Sequence, residues 1–203
     1  MEITLRPEEE RDYRLVEHIT REAFWNVYKP GCDEHFILHN LRGAPSFIRE
    51  LDYVAEADGE VAGNIVYSRG TVADAAGTAH EVIGFGPVSV LPALQGRGIG
   101  ARLIRHTLGL AREAGHRGVI IFGNPAYYHR FGFENAARFG ITTADGANFD
   151  AFMALELRAG GLDGITGRFL EDPVFRPDPA ALEAYDRGFP AREKLVTDTQ
   201  LKP

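Results

Sequence analysis

The sequence predicts a mixed α/β domain, an α+β arrangement on a mixed sheet. Two observations carry this. Short strand-patterned runs flank a tight-turn signal in the first third of the chain, and strand and helix patterns alternate after a glycine-rich loop near its middle. The 203 residues leave room for one domain, or one with an appendage. With 44% hydrophobic and 25% charged residues, the composition is that of a globular chain rather than a disordered or fibrous one.

Each element has a local reason. Residues 3–6 alternate as a first strand. Residues 12–25 place Leu15, Ile19 and Ala23, with Val16 and Phe24 beside them, on one stripe of a helix. Glu34–Leu41 follows as a second helix, ended by Gly43-Ala44-Pro45. Tyr53–Ala57 and residues 61–67 flank Asp58-Gly59, a type I′ hairpin signal. Residues 81–90 form a longer strand broken by Gly86-Pro87. Proline cannot donate to a ladder, so this strand is at an edge, bulged, or parted from a neighbour there. Residues 98–114 carry the strongest helical period, with Ile99, Leu103, Leu108 and Ala111 on one stripe and Gly115 just past the end. Residues 119–122 suit a central strand. Asn124-Pro125 then supplies a cap and a first-turn proline for a short helix stopping at Gly132. Residues 152–157 read as the last strand. From Gly160 glycine and proline crowd the chain, so residues 1–157 are expected as the main domain and 158–203 as an extension packed on it, with a helix near 179–185.

Composition excludes several classes. A single cysteine, Cys32, rules out an intramolecular disulfide and a multi-cysteine metal site. No apolar run approaches the ~18 residues of a membrane span. The acidic first ten residues lack the apolar core of a signal peptide. The net charge of −7, without a Lys/Arg tract, points away from nucleic acid and anionic membranes, and a cytoplasmic location is expected. Cys32, His35 and His39 have ligand-like spacing, but three candidates alone fit a structural or pocket helix better than a metal centre. Phe24-Trp25 and Phe36-Ile37 fit core and pocket wall better than an aromatic recognition box.

The most informative stretch is Val88-Ser89-Val90-Leu91-Pro92-Ala93-Leu94-Gln95-Gly96-Arg97-Gly98-Ile99-Gly100-Ala101, a strand feeding a glycine-rich loop that opens a helix. Exposed amides and the positive helix end make an anion cradle, suited to phosphate or pyrophosphate. The nucleotide-hydrolysing phosphate loop is excluded, because no Lys-Ser/Thr pair follows. Gly96-Arg97-Gly98-Ile99-Gly100-Ala101 does match the dinucleotide pattern, but five residues separate it from the strand, and the next strand ends in Gly123-Asn124 rather than an acid. A ligand-free helix start is disfavoured, since each glycine costs about 1 kcal/mol of helix propensity.

Gln95-Gly96-Arg97-Gly98-Ile99-Gly100 resembles the Gln/Arg-x-x-Gly-x-Gly/Ala signature of the GNAT (GCN5-related N-acetyltransferase) superfamily. Tyr127-Tyr128-His129-Arg130-Phe131-Gly132-Phe133 resembles its Tyr-x-x-x-Gly-Phe segment, and residues 53–63 resemble its central hairpin. The three fall in family order. Gly123-Asn124-Pro125-Ala126-Tyr127-Tyr128 looks like a bacterial subgroup with a C-terminal extension. The resemblance implies a GNAT-like acyl-CoA N-acyltransferase fold with splayed central strands. It implies acetyl transfer from acetyl-CoA, without a metal, to a primary amine of a small molecule or peptide.

It also implies roles. Val88, Val90, Gln95, Gly96, Arg97, Gly98, Ile99, Gly100, Ala101 and Arg102 would bind the cofactor, the N–H near Val90 polarising the acetyl carbonyl. Tyr128 would be the general acid for the leaving thiolate, and Trp25 and Tyr28 would meet the acceptor. Asn124 is open between a pantetheine contact and a helix cap, the cap being favoured. Glu81 is the carboxylate offered as general base, ahead of His80 and His129. A non-catalytic acyl-CoA-binding module is the alternative function. The extension is open between covering the acceptor site and mediating a homodimer.

Overall fold

The structure is a computed structural model and describes residues 1–198 and 200. Of the stretch 158–203 that the sequence sets apart, residues 199 and 201–203 lie outside the described residues. The chain forms two compact units: Met1–Val66, Pro87–Ile104 and Pro173–Pro203 make the first, and Tyr67–Gly86 with Arg105–Asp172 make the second.

In the first unit, β1 (Ile3–Pro7) pairs antiparallel with β2 (Tyr53–Ala57), from Ile3↔Ala57 to Pro7↔Tyr53. β2 pairs in turn with the start of β3 (Glu60–Ala73), with a register shift at Ala55/Glu56. The connecting Asp58 and Gly59 have φ of 52° and 89°, the positive pair that a type I′ turn requires. α1 (Tyr13–Phe24) and α2 (Glu34–Leu41) pack with the sheet through Val16, Ile19, Leu38, Leu41, Val54, Val61 and Val66. Losing one such leucine to alanine typically costs about 2–5 kcal/mol. Leu15 corrects the expected stripe: it is exposed, and Val16 and Ile19 bury the face. That face also buries charge. Arg21 donates to Asp186 of α5 (Pro179–Asp186) at 2.7 and 3.2 Å, and Arg42 donates to Glu17 at 2.9 Å and to Glu8 at 2.6 Å. Pairing of this kind is what makes buried charges tolerable.

In the second unit the sheet is mixed. β4 (Ala79–Val90) pairs parallel with β5 (Gly118–Phe122), and β5 pairs antiparallel with β8 (Phe152–Glu156) from Gly118↔Glu156 to Phe122↔Phe152. β6 (Glu134–Asn135) adds to β8. The β4–β5 register comprises the single pair Ile83↔Val119, although β5 runs on to Phe122. Just beyond that pair Gly86 has φ 150° and Pro87 has no N–H, yet β4 runs on through both to Val90, so the interruption expected in the strand itself is not seen. Residues 152–157 are not the last strand. β9 (Gly167–Leu170) pairs antiparallel with β3 at Thr71↔Leu170 and parallel with β7 (Ile141–Thr142). A β-carbon on Gly167 would overlap the Ala73 carbonyl, so this junction needs glycine. Val72, Val82, Ile120, Phe152, Ala154, Ile165 and Phe169 are among the residues of this unit's core.

Candidate functional site

In the first unit the end of β4 passes through a short turn at Pro92–Leu94 into α3 (Ile99–Glu113). Gly96 and Gly98 have φ of 75° and 85°, and a β-carbon on either would meet nothing within 4 Å. Glycine is therefore required by backbone conformation, in a loop bare of side-chain cover. Residues 95–98 are exposed. The first helical amide to find its carbonyl is that of Arg102, which donates to Gly98 at 3.0 Å, so the amides before it face outward from a positive helix end. Gln95 donates to the Val90 carbonyl at 3.1 Å and braces the loop on the strand, while Arg102 donates to the Ile3 carbonyl at 3.2 Å.

A cleft of about 250 Å³ opens beside this loop, between Ala23, Phe24, Val27 and Tyr28 on one side and Val88, Ser89, Val90 and Gln95 on the other. Of the residues singled out in the sequence, Tyr28, Val88, Val90 and Gln95 meet here. Ser89, Phe24 and Val27 join them; Phe24 was legible as a pocket wall, whereas Ser89 carried no signal of its own. Trp25 is not a lining residue. It is buried, and its indole donates to the Glu193 carbonyl at 2.9 Å. Beneath the cleft, Asn64 Oδ1 accepts from the hydroxyls of Thr20, at 3.2 Å, and Ser89, all three side chains being buried. This trio ties α1, β3 and β4 together.

In the second unit Asn124 accepts from the Ala126 amide at 3.0 Å, the capping geometry, and starts α4 (Pro125–Tyr128). Gly132, with φ 91°, ends the turn that follows. Tyr128 lies among Phe85, Phe133 and Tyr127, at ring-centroid distances of 5.9, 5.8 and 5.1 Å. Beyond Phe85, the Tyr67 hydroxyl is bonded to Thr107 at 3.0 Å, and burial pushes that phenol well above its ordinary range.

Glu81 is exposed and stands 3.9 Å from Arg69 in a second cleft of about 230 Å³, lined also by Gly70, Thr71, Leu170, Glu171 and Asp172. His80 contacts Asp74 at 3.4 Å, and His129 Nδ1 lies 2.9 Å from the Phe133 carbonyl. Cys32 and His35 touch at 3.5 Å, but His39 turns to Glu17, at 2.9 Å. Among the described residues no group of three or more His, Cys, Asp or Glu is placed to hold a metal ion. Among them, too, no helix is long and apolar enough to cross a membrane.

The chain as a whole is similar to known proteins. Residues 49–135 match the family model of the acetyltransferase (GNAT) domain. The N-acetyltransferase YhbS of Escherichia coli (strain K12) is 29% identical over 131 residues, 64% of this chain and 76% of that one. The crystal structure of YhbS from Escherichia coli in complex with CoA superposes with a TM-score of 0.76 at 27% identity, covering 86% of this chain and 92% of that one. A GNAT family acetyltransferase from Brucella melitensis, in complex with acetyl-CoA, gives 0.68 at 33% identity, covering 86% and 98%. The chain belongs to the GNAT acetyltransferase family. It is accordingly an acyltransferase of the N-acetyltransferase class.

Proposed function

We propose that the protein transfers acetyl from acetyl-CoA to a primary amine of a small molecule or peptide by direct attack. The observation that carries this is the Gly96/Gly98 loop, whose left-handed glycines lead into the first turn of α3, where backbone amides have no carbonyl partner within the helix. Those amides hold the diphosphate, and the exposed Arg97 adds a charge-assisted contact. The cleft is smaller than the ~300–1,000 Å³ of pockets for drug-sized ligands, which suits a narrow pantetheine arm along Val88–Val90 rather than a whole cofactor. The complexes of YhbS with CoA and of the Brucella melitensis protein with acetyl-CoA support the choice of cosubstrate.

In the reaction the neutral amine nitrogen attacks the thioester carbonyl carbon, and the Val90 amide stabilises the resulting oxyanion. The C–S bond then breaks and its electron pair leaves with sulfur, which takes a proton from Tyr128. The amine loses its proton to solvent, with Glu81 offered as the carboxylate that accepts it, and solvent returns a proton to the Tyr128 phenolate. Tyr28 contributes to the acceptor wall. Residues 1–157 carry this chemistry.

The test is release of coenzyme A thiol from acetyl-CoA over a panel of alkylamines, aminoglycosides and dipeptides. Turnover with at least one amine, reduced by about 10²-fold in Tyr128→Phe, is expected of a general acid. Stabilisation by coenzyme A without turnover on any amine would instead support the non-catalytic binding module.

A further inference from the structure

The segment joining α1 to α2 is held by the chain's own C-terminus. Asn26 has φ 62°, a left-handed conformation that asparagine tolerates better than most residues. Its side-chain amide works in both directions. Nδ2 donates to the Glu193 carbonyl at 3.0 Å, and Oδ1 accepts from the Leu195 amide at 3.1 Å. One asparagine thus pairs with the C=O and N–H of a passing stretch of chain as the peptide group of a neighbouring strand would. Oδ1 also accepts from the Gly31 amide at 2.7 Å, fixing the far end of the same loop. The Asn26 carbonyl receives the Thr197 hydroxyl at 3.0 Å and the Gln200 amide at 3.2 Å. Trp25 donates to the same Glu193 carbonyl, and the Lys194 stem covers Gly31, where a β-carbon would lie 3.1 Å from Cε. One and two residues beyond Asn26, Val27 and Tyr28 form a wall of the cleft facing Val88 and Val90.

We infer that Asn26 is a positioning residue for that cleft: with Glu193, Leu195, Thr197 and Gln200 it forms a strap that sets the spacing between the Val27–Tyr28 wall and the end of β4. The inference rests on the proposed function, because it is the pantetheine arm that the spacing admits. The Val27 amide also donates to the Phe24 carbonyl at 3.0 Å, which holds the start of the loop on α1. The loop's own bonds at Asn26, to Gly31, close it into a ring but leave its distance from β4 unset.

The experiment uses the full chain, with coenzyme A as the probe, and reads its Kd by calorimetry, the melting temperature, and the rate at which a soluble aromatic disulfide labels Cys32. That thiol, 6% exposed, lies beside the strapped loop and reports its opening. Asn26→Gly removes the amide while accepting the positive φ. Asn26→Asp keeps the shape and the acceptor but loses the donor to Glu193. Arg192→Ala removes the ion pair of the tail with Glu22 and the guanidinium 5.6 Å from the Trp25 ring centroid, and leaves the Asn26 bonds in place. Asn26→Gly should weaken coenzyme A binding about tenfold, as for a lost pair of hydrogen bonds, and should speed labelling similarly. Asn26→Asp should fall between, and Arg192→Ala should behave as the unaltered chain. An Asn26→Gly protein that melts lower yet binds coenzyme A normally overturns the inference, leaving a merely structural strap. If the unaltered chain does not bind coenzyme A, it is the proposed function that fails. The strap is then judged by Cys32 alone, faster labelling supporting it and unchanged labelling overturning it.

Discussion

The ring of Tyr128 lies so close to the α-carbon of Gly123 that a β-carbon there would stand 2.5 Å from Cδ2 and nearer still to Cε2. The five-residue step from Gly123 to Tyr128 is fixed by the Asn124 cap and by the Tyr128 amide, which donates to the Asn124 carbonyl at 3.0 Å. The phenol can therefore yield to a new methyl group only by rotating away from its place among Phe85 and Phe133.

Gly123→Ala should accordingly act as a mild copy of a Tyr128 substitution. Overpacking of this sort costs about 1–3 kcal/mol. The expected result is a folded protein whose kcat for thiol release falls at least about tenfold, with the Kd for coenzyme A within about twofold of normal. A Gly123→Ala enzyme with full kcat would show that the position of the Tyr128 ring is immaterial to turnover.

The buried trio under the cleft predicts a stability effect. Thr20→Val keeps the shape of the side chain but removes one of the two hydroxyls that donate to Asn64 Oδ1. Leaving buried polar groups short of a partner costs about 1–3 kcal/mol, and about 2–4 °C of melting temperature accompanies each kcal/mol in a chain of this length. A thermal melt should drop by several degrees. An unchanged melt would mean that Asn64 is satisfied without Thr20.

His35 gives the protein a pH-dependent element. Its ring is fully buried, and burial pushes its pKa from the ordinary 6.5 down to about 4, against the pull of Asp186 at 3.1 Å. The unfolded chain therefore binds the proton first. Between pH 6.5 and 4 the unfolded state gains protons that the folded state refuses, so stability present above pH 6.5 is lost as the pH falls toward 4. In His35→Phe this contribution is gone. Its melting temperature should decline less than that of the unaltered chain over that range, and parallel declines would refute the assignment.

The features legible in the sequence share one property: their cause is local. Asp58-Gly59, the Asn124 cap, the helix ending at Gly115 and the bare loop at Gly96 and Gly98 are each set by a residue's own backbone preferences, and each appears where its residues stand. What escaped depends on partners far along the chain. β3 runs past Tyr67 to Ala73 because β9, almost a hundred residues later, pairs with Thr71–Ala73. Nothing in Ser68-Arg69-Gly70-Thr71 announces this. The buried Arg21 is acceptable only because Asp186 answers it, 165 positions away. Trp25 shows the same limit: the family resemblance offered it to the acceptor, but it is buried and its indole is bonded to the tail at Glu193. Leu15 missed the core by one position on the helix, a distinction that periodicity alone does not make.

The proposed diphosphate site is made of main-chain amides, and their own signals report on it most directly. Amide resonances of the isotope-labelled full chain should be followed during titration with coenzyme A and, separately, with pantetheine, which lacks the diphosphate. Coenzyme A should shift the signals of Arg97, Gly98, Gly100 and Ala101, while pantetheine should leave them in place and move Val88 and Val90. If coenzyme A binds and those four amides stay still, or if pantetheine moves them equally, the loop does not hold the diphosphate and the assignment of the site is wrong.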